Sequence, residues 1–136
     1  METERIRACV IGLGVMGQAH ARIYAELGNV SLEAVCDSDK EILEKTVKNY
    51  RVPFSAFNYK ELDLSTFDLV SICTPTTTHY KVTKYFLNSG KHCLVEKPLS
   101  TSTERITELN ELAKEKELIM MPGHVERFNP AVIKMF

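Results

Sequence analysis

The chain has 136 residues, of which 44% are hydrophobic and 26% charged, with a formal net charge of −1. That is enough for one domain with its own core and too little for two ordinary ones. The near-neutral balance gives no broad attraction for nucleic acid or anionic membrane, and no apolar run approaches the ~18–20 residues that span a bilayer. Met1-Glu2-Thr3-Glu4-Arg5 passes straight into a strand-like run and leaves no room for a signal sequence, so a cytoplasmic location is expected. The four cysteines, Cys9, Cys36, Cys73 and Cys93, each fall in or at the end of a predicted strand, and none forms a C-x-x-C pair. They read as buried small hydrophobes of a reducing compartment, and no metal is expected.

The first predicted strand, Ile6 to Ile11, runs into Gly12-Leu13-Gly14-Val15-Met16-Gly17. A helical pattern opens near Val15 and ends near Leu27, and a second apolar run, Leu32 to Cys36, closes on Asp37. Glycines alone occur in many loops. Strand, glycine triplet, helix, strand and terminal acid in this order form the signature of a dinucleotide-binding βαβ unit. Gly12 allows the tight turn, Gly14 lets backbone approach a pyrophosphate, and Gly17 lets the helix pack closely on the strand. The helix start points free N–H groups and a positive dipole end at the phosphates. Leu13, Val15 and Met16 complete this expected cofactor loop. Asp37 can accept from ribose hydroxyls and would repel a 2′-phosphate. Ser38, Asp39 and Lys40 follow it, with no arginine, so NAD is expected over NADP. The competing reading of Asp37 is a capping or solvated carboxylate.

The alternation continues along the chain. Ser38 and Glu41 suggest a capping box for a helix whose apolar face is Ile42, Leu43, Val47 and Tyr50, stopped by Pro53. A short third strand is predicted at Phe54 to Phe57 and a buried fourth at Asp68 to Cys73, ending on Thr74-Pro75. A helix from about Thr78 to Leu87 ends at Asn88-Ser89-Gly90, and His92 to Val95 is the fifth strand. Thr101 and Glu104 suggest a second capping box, ahead of a stripe of Ile106, Leu109, Leu112 and Ala113. Leu118 to Met121 is the sixth strand, closed by Pro122-Gly123. Six short apolar strands separated mostly by helices predict an α/β fold, a doubly wound parallel sheet of the Rossmann kind in the order 3-2-1-4-5-6.

Ligands of such sheets bind beyond the carboxyl ends of the strands. That rim collects the glycine loop, Asp37, Thr74-Pro75, Glu96-Lys97-Pro98 and Gly123-His124. Lys97, beside the expected nicotinamide position, can donate a hydrogen bond to a reacting hydroxyl and move its proton. By position alone the tripeptide is equally a surface lysine before a loop. His124, Arg127 and Asn129 place a titratable ring, a cation and an amide after the sixth strand. Asn129 is also explained as a helix cap with Pro130 at the first helical position. His20 and His92 read as structural, whereas His79 at the mouth of a helix could touch cofactor or substrate.

Together these motifs resemble the glucose–fructose oxidoreductase / inositol dehydrogenase / rhizopine catabolism (Gfo/Idh/MocA) family. The resemblance rests on Gly12 to Gly17, Cys36-Asp37, Thr74-Pro75-Thr76-Thr77-Thr78-His79, Glu96-Lys97-Pro98-Leu99-Ser100 and the Gly123 to Pro130 run. The last run looks most like members that oxidise nucleotide-linked amino sugars, of the UDP-N-acetylglucosamine 3-dehydrogenase type. The resemblance implies that Lys97 is catalytic, touching the oxygen that undergoes redox, and that the Lys97–Pro98 bond is cis. It implies that Thr74, Pro75, Thr77, His79 and Glu96 join the cofactor site, with Glu96 and His79 near the nicotinamide. Lys97, His124, Arg127 and Asn129 are the expected substrate contacts.

Members of this family carry a second α/β domain that covers the substrate. Residues 1–122 are therefore expected to be the dinucleotide-binding domain, and 123–136 the start of the connection to a substrate domain that is absent. The expected function is NAD-dependent hydride transfer to or from a hydroxyl carbon of a sugar, sugar nucleotide or cyclitol, with the isolated chain inactive or poorly active. A homo-oligomer through the apolar ending Ala131 to Phe136 is a further expectation. Two rivals stand beside this reading: a non-catalytic NAD-binding module, and a single-domain protein for another adenine nucleotide.

Overall fold

The computed structural model describes residues 4–135; Met1, Glu2, Thr3 and Phe136, which belong to the expected lead-in and apolar ending, lie outside the described residues. Six strands, β1 (Ile6–Ile11), β2 (Val30–Cys36), β3 (Phe54–Ala56), β4 (Leu69–Ile72), β5 (His92–Val95) and β6 (Met120–Pro122), form one sheet. Between and after them lie α1 (Val15–Glu26), α2 (Lys40–Tyr50), α3 (His79–Asn88), α4 (Thr103–Glu115) and α5 (Pro130–Met135). The strands are all parallel and run in the order β3-β2-β1-β4-β5-β6, as expected. No helix among the described residues is long and apolar enough to cross a membrane.

The continuous apolar run of β1 is explained by burial on both faces. Cys9 and Ile11 enter one core with Phe67, Phe86 and Leu109, whereas Ala8 and Val10 enter the other with Leu13, Ala21 and Leu43. The period of two thus divides one strand between two cores. In β2 that period breaks. Ala8 pairs with Leu32 but Cys9 pairs with Ala34, so Glu33 is an extra residue in a bulge. This keeps Leu32 and Val35 on one face although they are three apart, and it sets Cys36 beside Ile11, carrying Asp37 to the glycine loop.

Several boundaries shift from the expected ones for local reasons. Asp39, not Ser38, caps α2, its Oδ1 accepting from Ile42 N at 3.1 Å. Ser102, not Thr101, caps α4 by accepting from Arg105 N and donates to Glu104. At both sites two cap-competent residues are adjacent, and the helix starts one residue later than the capping-box spacing suggests. The sixth strand begins at Met120, because Glu117 adopts a φ of 55° and Leu118 N bonds back to Ala113 O, extending the exit from α4.

Candidate functional site

The carboxyl ends of β1, β2 and β4 open onto a cleft of about 660 Å³ lined by Gly12, Leu13, Gly14, Asp37, Thr74 and Pro75, with Ile11, Cys36, Ser38, Phe57, Asn58, Tyr59 and Cys73. This is a volume suited to part of a nucleotide. Close packing builds the loop. Gly12 has φ +88°, and a Cβ there would lie 2.7 Å from the Cys73 carbonyl; one on Gly17 would lie 1.8 Å from Gly12 O. Gly14 has open space around it. No packing within the chain therefore requires a glycine at this position.

The N-terminus of α1 has no side-chain cap and no acidic residue in its first turn. Helices usually satisfy these donors with a Ser, Thr, Asp or Asn side chain. Left uncapped at a cleft, they remain free to donate to an anion. Val15 and Met16 sit exposed in that first turn, and Gly17 is buried beneath it. Asp37 closes the loop from the side: its Oδ2 accepts from Leu13 N at 2.7 Å and its Oδ1 from Asp39 N at 2.8 Å. Asp37 is therefore not the cap of α2, which is Asp39, and it is half-buried at the cleft with acceptor capacity remaining.

On the neighbouring strand ends, Thr74 and Pro75 line the cleft, and Thr77 is exposed in the 3₁₀ turn Thr76–Thr78. His79 is buried, with Nε2 2.7 Å from Thr74 O and Nδ1 2.9 Å from Pro98 O. It ties the end of β4 to the turn after β5. The Lys97–Pro98 peptide is cis. Lys97 is exposed, while Glu96 is buried with its carboxylate 2.8 Å from His20 Nε2. Gly123 N donates to Val95 O at 2.7 Å and brings the sixth strand end alongside. His124 and Arg127 are exposed there. Asn129 Oδ1 accepts from Ala131 N and its Nδ2 donates to Glu126, so its observed work is at the start of α5, with Pro130 in the first position.

The structure thus brings Gly12, Leu13, Gly14, Asp37, Thr74 and Pro75 into one cleft. Lys97, Glu96, His79 and His124 occupy the adjoining strand ends, outside the cleft lining. Sequence reasoning missed Phe57, Asn58 and Tyr59, which wall the cleft beyond β3, and gave His20 no role beyond packing. The signal for His20 was its place three residues after Gly17, on the same helical face. His20, Cys73 and Glu96 offer ligand atoms within 4.8 Å of one another. The imidazole and carboxylate are already paired, and burial, with Glu96 second, pushes the Cys73 thiol up to about 12. The cluster as built is a hydrogen-bonded pair beside a neutral thiol.

Residues 6–124 match the model of an oxidoreductase family described by its NAD-binding Rossmann fold. The chain is 36% identical over 127 residues to UDP-N-acetylglucosamine 3-dehydrogenase of Acidithiobacillus ferrooxidans, covering 93% of this chain and 39% of that one. A crystal form of an enzyme of that name and organism superimposes with a TM-score of 0.88 and 34% identity, covering 98% of this chain and 43% of the other. Scyllo-inositol dehydrogenase from Lactobacillus casei, solved with bound NAD(H) and scyllo-inositol, gives 0.88 at 25% identity over 93% and 38% of the two chains. The chain therefore spans about two-fifths of the length of these relatives.

Proposed function

We propose, from the premise that this chain belongs to the Gfo/Idh/MocA oxidoreductase family with its NAD-binding Rossmann fold, that it holds NAD for hydride transfer at a hydroxyl carbon of a sugar, sugar nucleotide or cyclitol. The observation that carries this is the uncapped start of α1 opening on a cleft whose side is closed by Asp37, 2.7 Å from Leu13 N. Phosphate oxygens would complete the helix donors, and Asp37 would accept from the ribose. Thr74 and Pro75 would form the opposite wall. When bound, the nicotinamide supplies the hydride acceptor or donor.

The chain's own chemistry lies on the oxygen. Lys97, exposed at the end of β5, would donate a hydrogen bond to the substrate hydroxyl or carbonyl and carry its proton. His124 and Arg127, exposed after β6, would contact polar substrate groups, together with Asn129. Residues 1–122 would form the dinucleotide-binding unit and 123–136 the lead toward the substrate side. Nucleotide-linked amino sugars are the favoured substrate class, because a relative named for UDP-N-acetylglucosamine matches 93% of this chain. The open rim at Lys97 and His124 leaves substrate unshielded from water, so slow turnover by this chain alone is expected.

Titration with NADH, followed by fluorescence, is the first test. Assay of NAD reduction with UDP-N-acetylglucosamine and scyllo-inositol is the second. Saturable binding with turnover that Lys97→Met lowers by ~10²–10⁴ supports the whole reading. Binding with no turnover and no effect of any sugar on the NADH fluorescence favours the non-catalytic module. Absence of nucleotide binding would refute the proposal at its base.

A further inference from the structure

Nothing in the packing of Lys97 itself aims its ammonium, since the side chain is exposed and its stem is flexible. The residues on either side of it are held. Glu96, just before, is only 7% exposed, and its carboxylate lies 2.8 Å from His20 Nε2. It also packs on Gly123, where an added Cβ would lie 3.2 Å from Glu96 Oε1. Pro98, just after, presents its carbonyl to His79 Nδ1 at 2.9 Å, and the same ring reaches Thr74 O through Nε2 at 2.7 Å. His20 comes from the helix that starts at the glycine loop. His79 comes from the first turn of the helix behind the Thr74-Pro75 wall.

The hydrogen-bond order around His20 is set by its partners. The Glu96 carboxylate can only accept, so a singly protonated His20 keeps its proton on Nε2, and the Tyr24 O–H, 2.7 Å from Ser71 Oγ, is the donor that leaves the Ser71 O–H free for Nδ1. The Ser71 O–H then donates to His20 Nδ1 at 2.9 Å, which leaves the Nε2 proton for Glu96. Each donor in this chain has one acceptor. Around His79 both partners are backbone carbonyls, 2.7 Å and 2.9 Å from the two ring nitrogens, so one ring proton bonds one rim segment and a proton on each nitrogen is needed to bond both at once.

Resting on the proposed role of Lys97, we infer that His20 and His79 are positioning residues for it, two imidazoles from different helices that grip the residue before it and the residue after it. Neither touches reacting atoms; they act through the Glu96 carboxylate and the Pro98 carbonyl. The glycine loop and the lysine are thereby joined through side chains as well as through the sheet. A shift of about 1 Å in a reacting group can cost ~10²-fold in rate, so such a grip has a catalytic consequence.

The test uses the chain with its lysines carrying ¹³C-methyl groups, the Lys97 signal being the one absent from Lys97→Arg. In the wild type, NADH moves the Lys97 signal together with the amides of Gly12 and Gly14. In His20→Leu the loop amides still move, with affinity within about twofold, because His20 lines no part of the cleft; in His79→Leu, a residue expected on the nicotinamide side, the Lys97 response is read at saturating NADH. The Lys97 response falls to less than half. His20→Gln, which keeps an N–H for Glu96, restores it. A merely structural role would lower the melting temperature and leave the Lys97 response intact, and that result overturns the inference. So does loss of both responses in parallel. Should the leucine variants not fold, the wild-type long-range ¹⁵N–¹H spectrum decides: His20 protonated on Nε2 supports the grip, and protonated on Nδ1 alone refutes it. NADH moving no signal in the wild type would refute the proposed function instead, with the His20 spectrum still deciding the grip.

Discussion

Replacing Asp37 by asparagine tests the cofactor reading most directly. The carboxylate accepts from Leu13 N at 2.7 Å and Asp39 N at 2.8 Å, and it stands half-buried at the cleft. Two unit charges ~4 Å apart repel by ~4 kcal/mol at an effective dielectric near 20 and by ~1 kcal/mol in bulk water. A 2′-phosphate beside half-buried Asp37 falls between these limits, at ~2–3 kcal/mol, a preference for NADH over NADPH of ~30–150-fold. The amide introduced by Asp37→Asn would keep an acceptor for one backbone N–H but no charge. The preference should then shrink to within about threefold, chiefly through tighter NADPH binding. The loop should also weaken, because two charge-assisted hydrogen bonds become neutral or are lost, at ~1 kcal/mol each. Fluorescence titrations of both proteins with both nucleotides, beside thermal melts, separate selectivity from stability. Equal wild-type affinities, or an unchanged preference in Asp37→Asn, would show that Asp37 holds the loop without reading the ribose.

Gly17→Ala places a Cβ 1.8 Å from Gly12 O and should cost ~4 kcal/mol or more, seen as loss of the cooperative melt, whereas Gly14→Ala meets nothing within 4 Å. The Gly14 variant should melt within ~0.5 kcal/mol of wild type yet bind NADH ~tenfold more weakly or worse; unchanged affinity would remove the phosphate from this loop. Arg7 donates to both oxygens of Asp68 and holds that carboxyl below its ordinary 3.8. A carboxyl lowered in the folded state contributes stability above its unfolded value, and that share is lost as pH falls below 3.8. Asp68→Asn should therefore melt lower at neutral pH and show a shallower acid decline, read from melting temperature against pH. Burial first, and Glu96 second, put the Cys73 thiol at about 12. At pH 8 about one molecule in 10⁴ would then be thiolate, and iodoacetamide should modify half-buried Cys73 only slowly in the folded chain; rapid alkylation there would contradict the raised thiol.

What the chain settles locally, the sequence determined by itself. Apolar runs of four to seven residues divided by amphipathic stretches specify strands and helices through their periods, and strands separated by helices lead to a parallel sheet. The glycine loop and Asp37 were legible for the same reason, since turn, helix start and strand end are all local features with strong residue preferences. Even the caps failed only by one residue, where Ser38 and Asp39, or Thr101 and Ser102, compete for the same role. The Glu33 bulge was hidden, because a strand carries no record of the register of its partner. Tertiary structure alone decided which distant residues meet. His20 finds Glu96 across 76 positions and Ser71 across 51, and His79 reaches Pro98 across 19. Phe57, Asn58 and Tyr59 enter the cleft only because β3 is placed beside β2. A buried imidazole must find its partner wherever the packed sheet and helices put one, and that location follows from the whole fold rather than from neighbours along the chain.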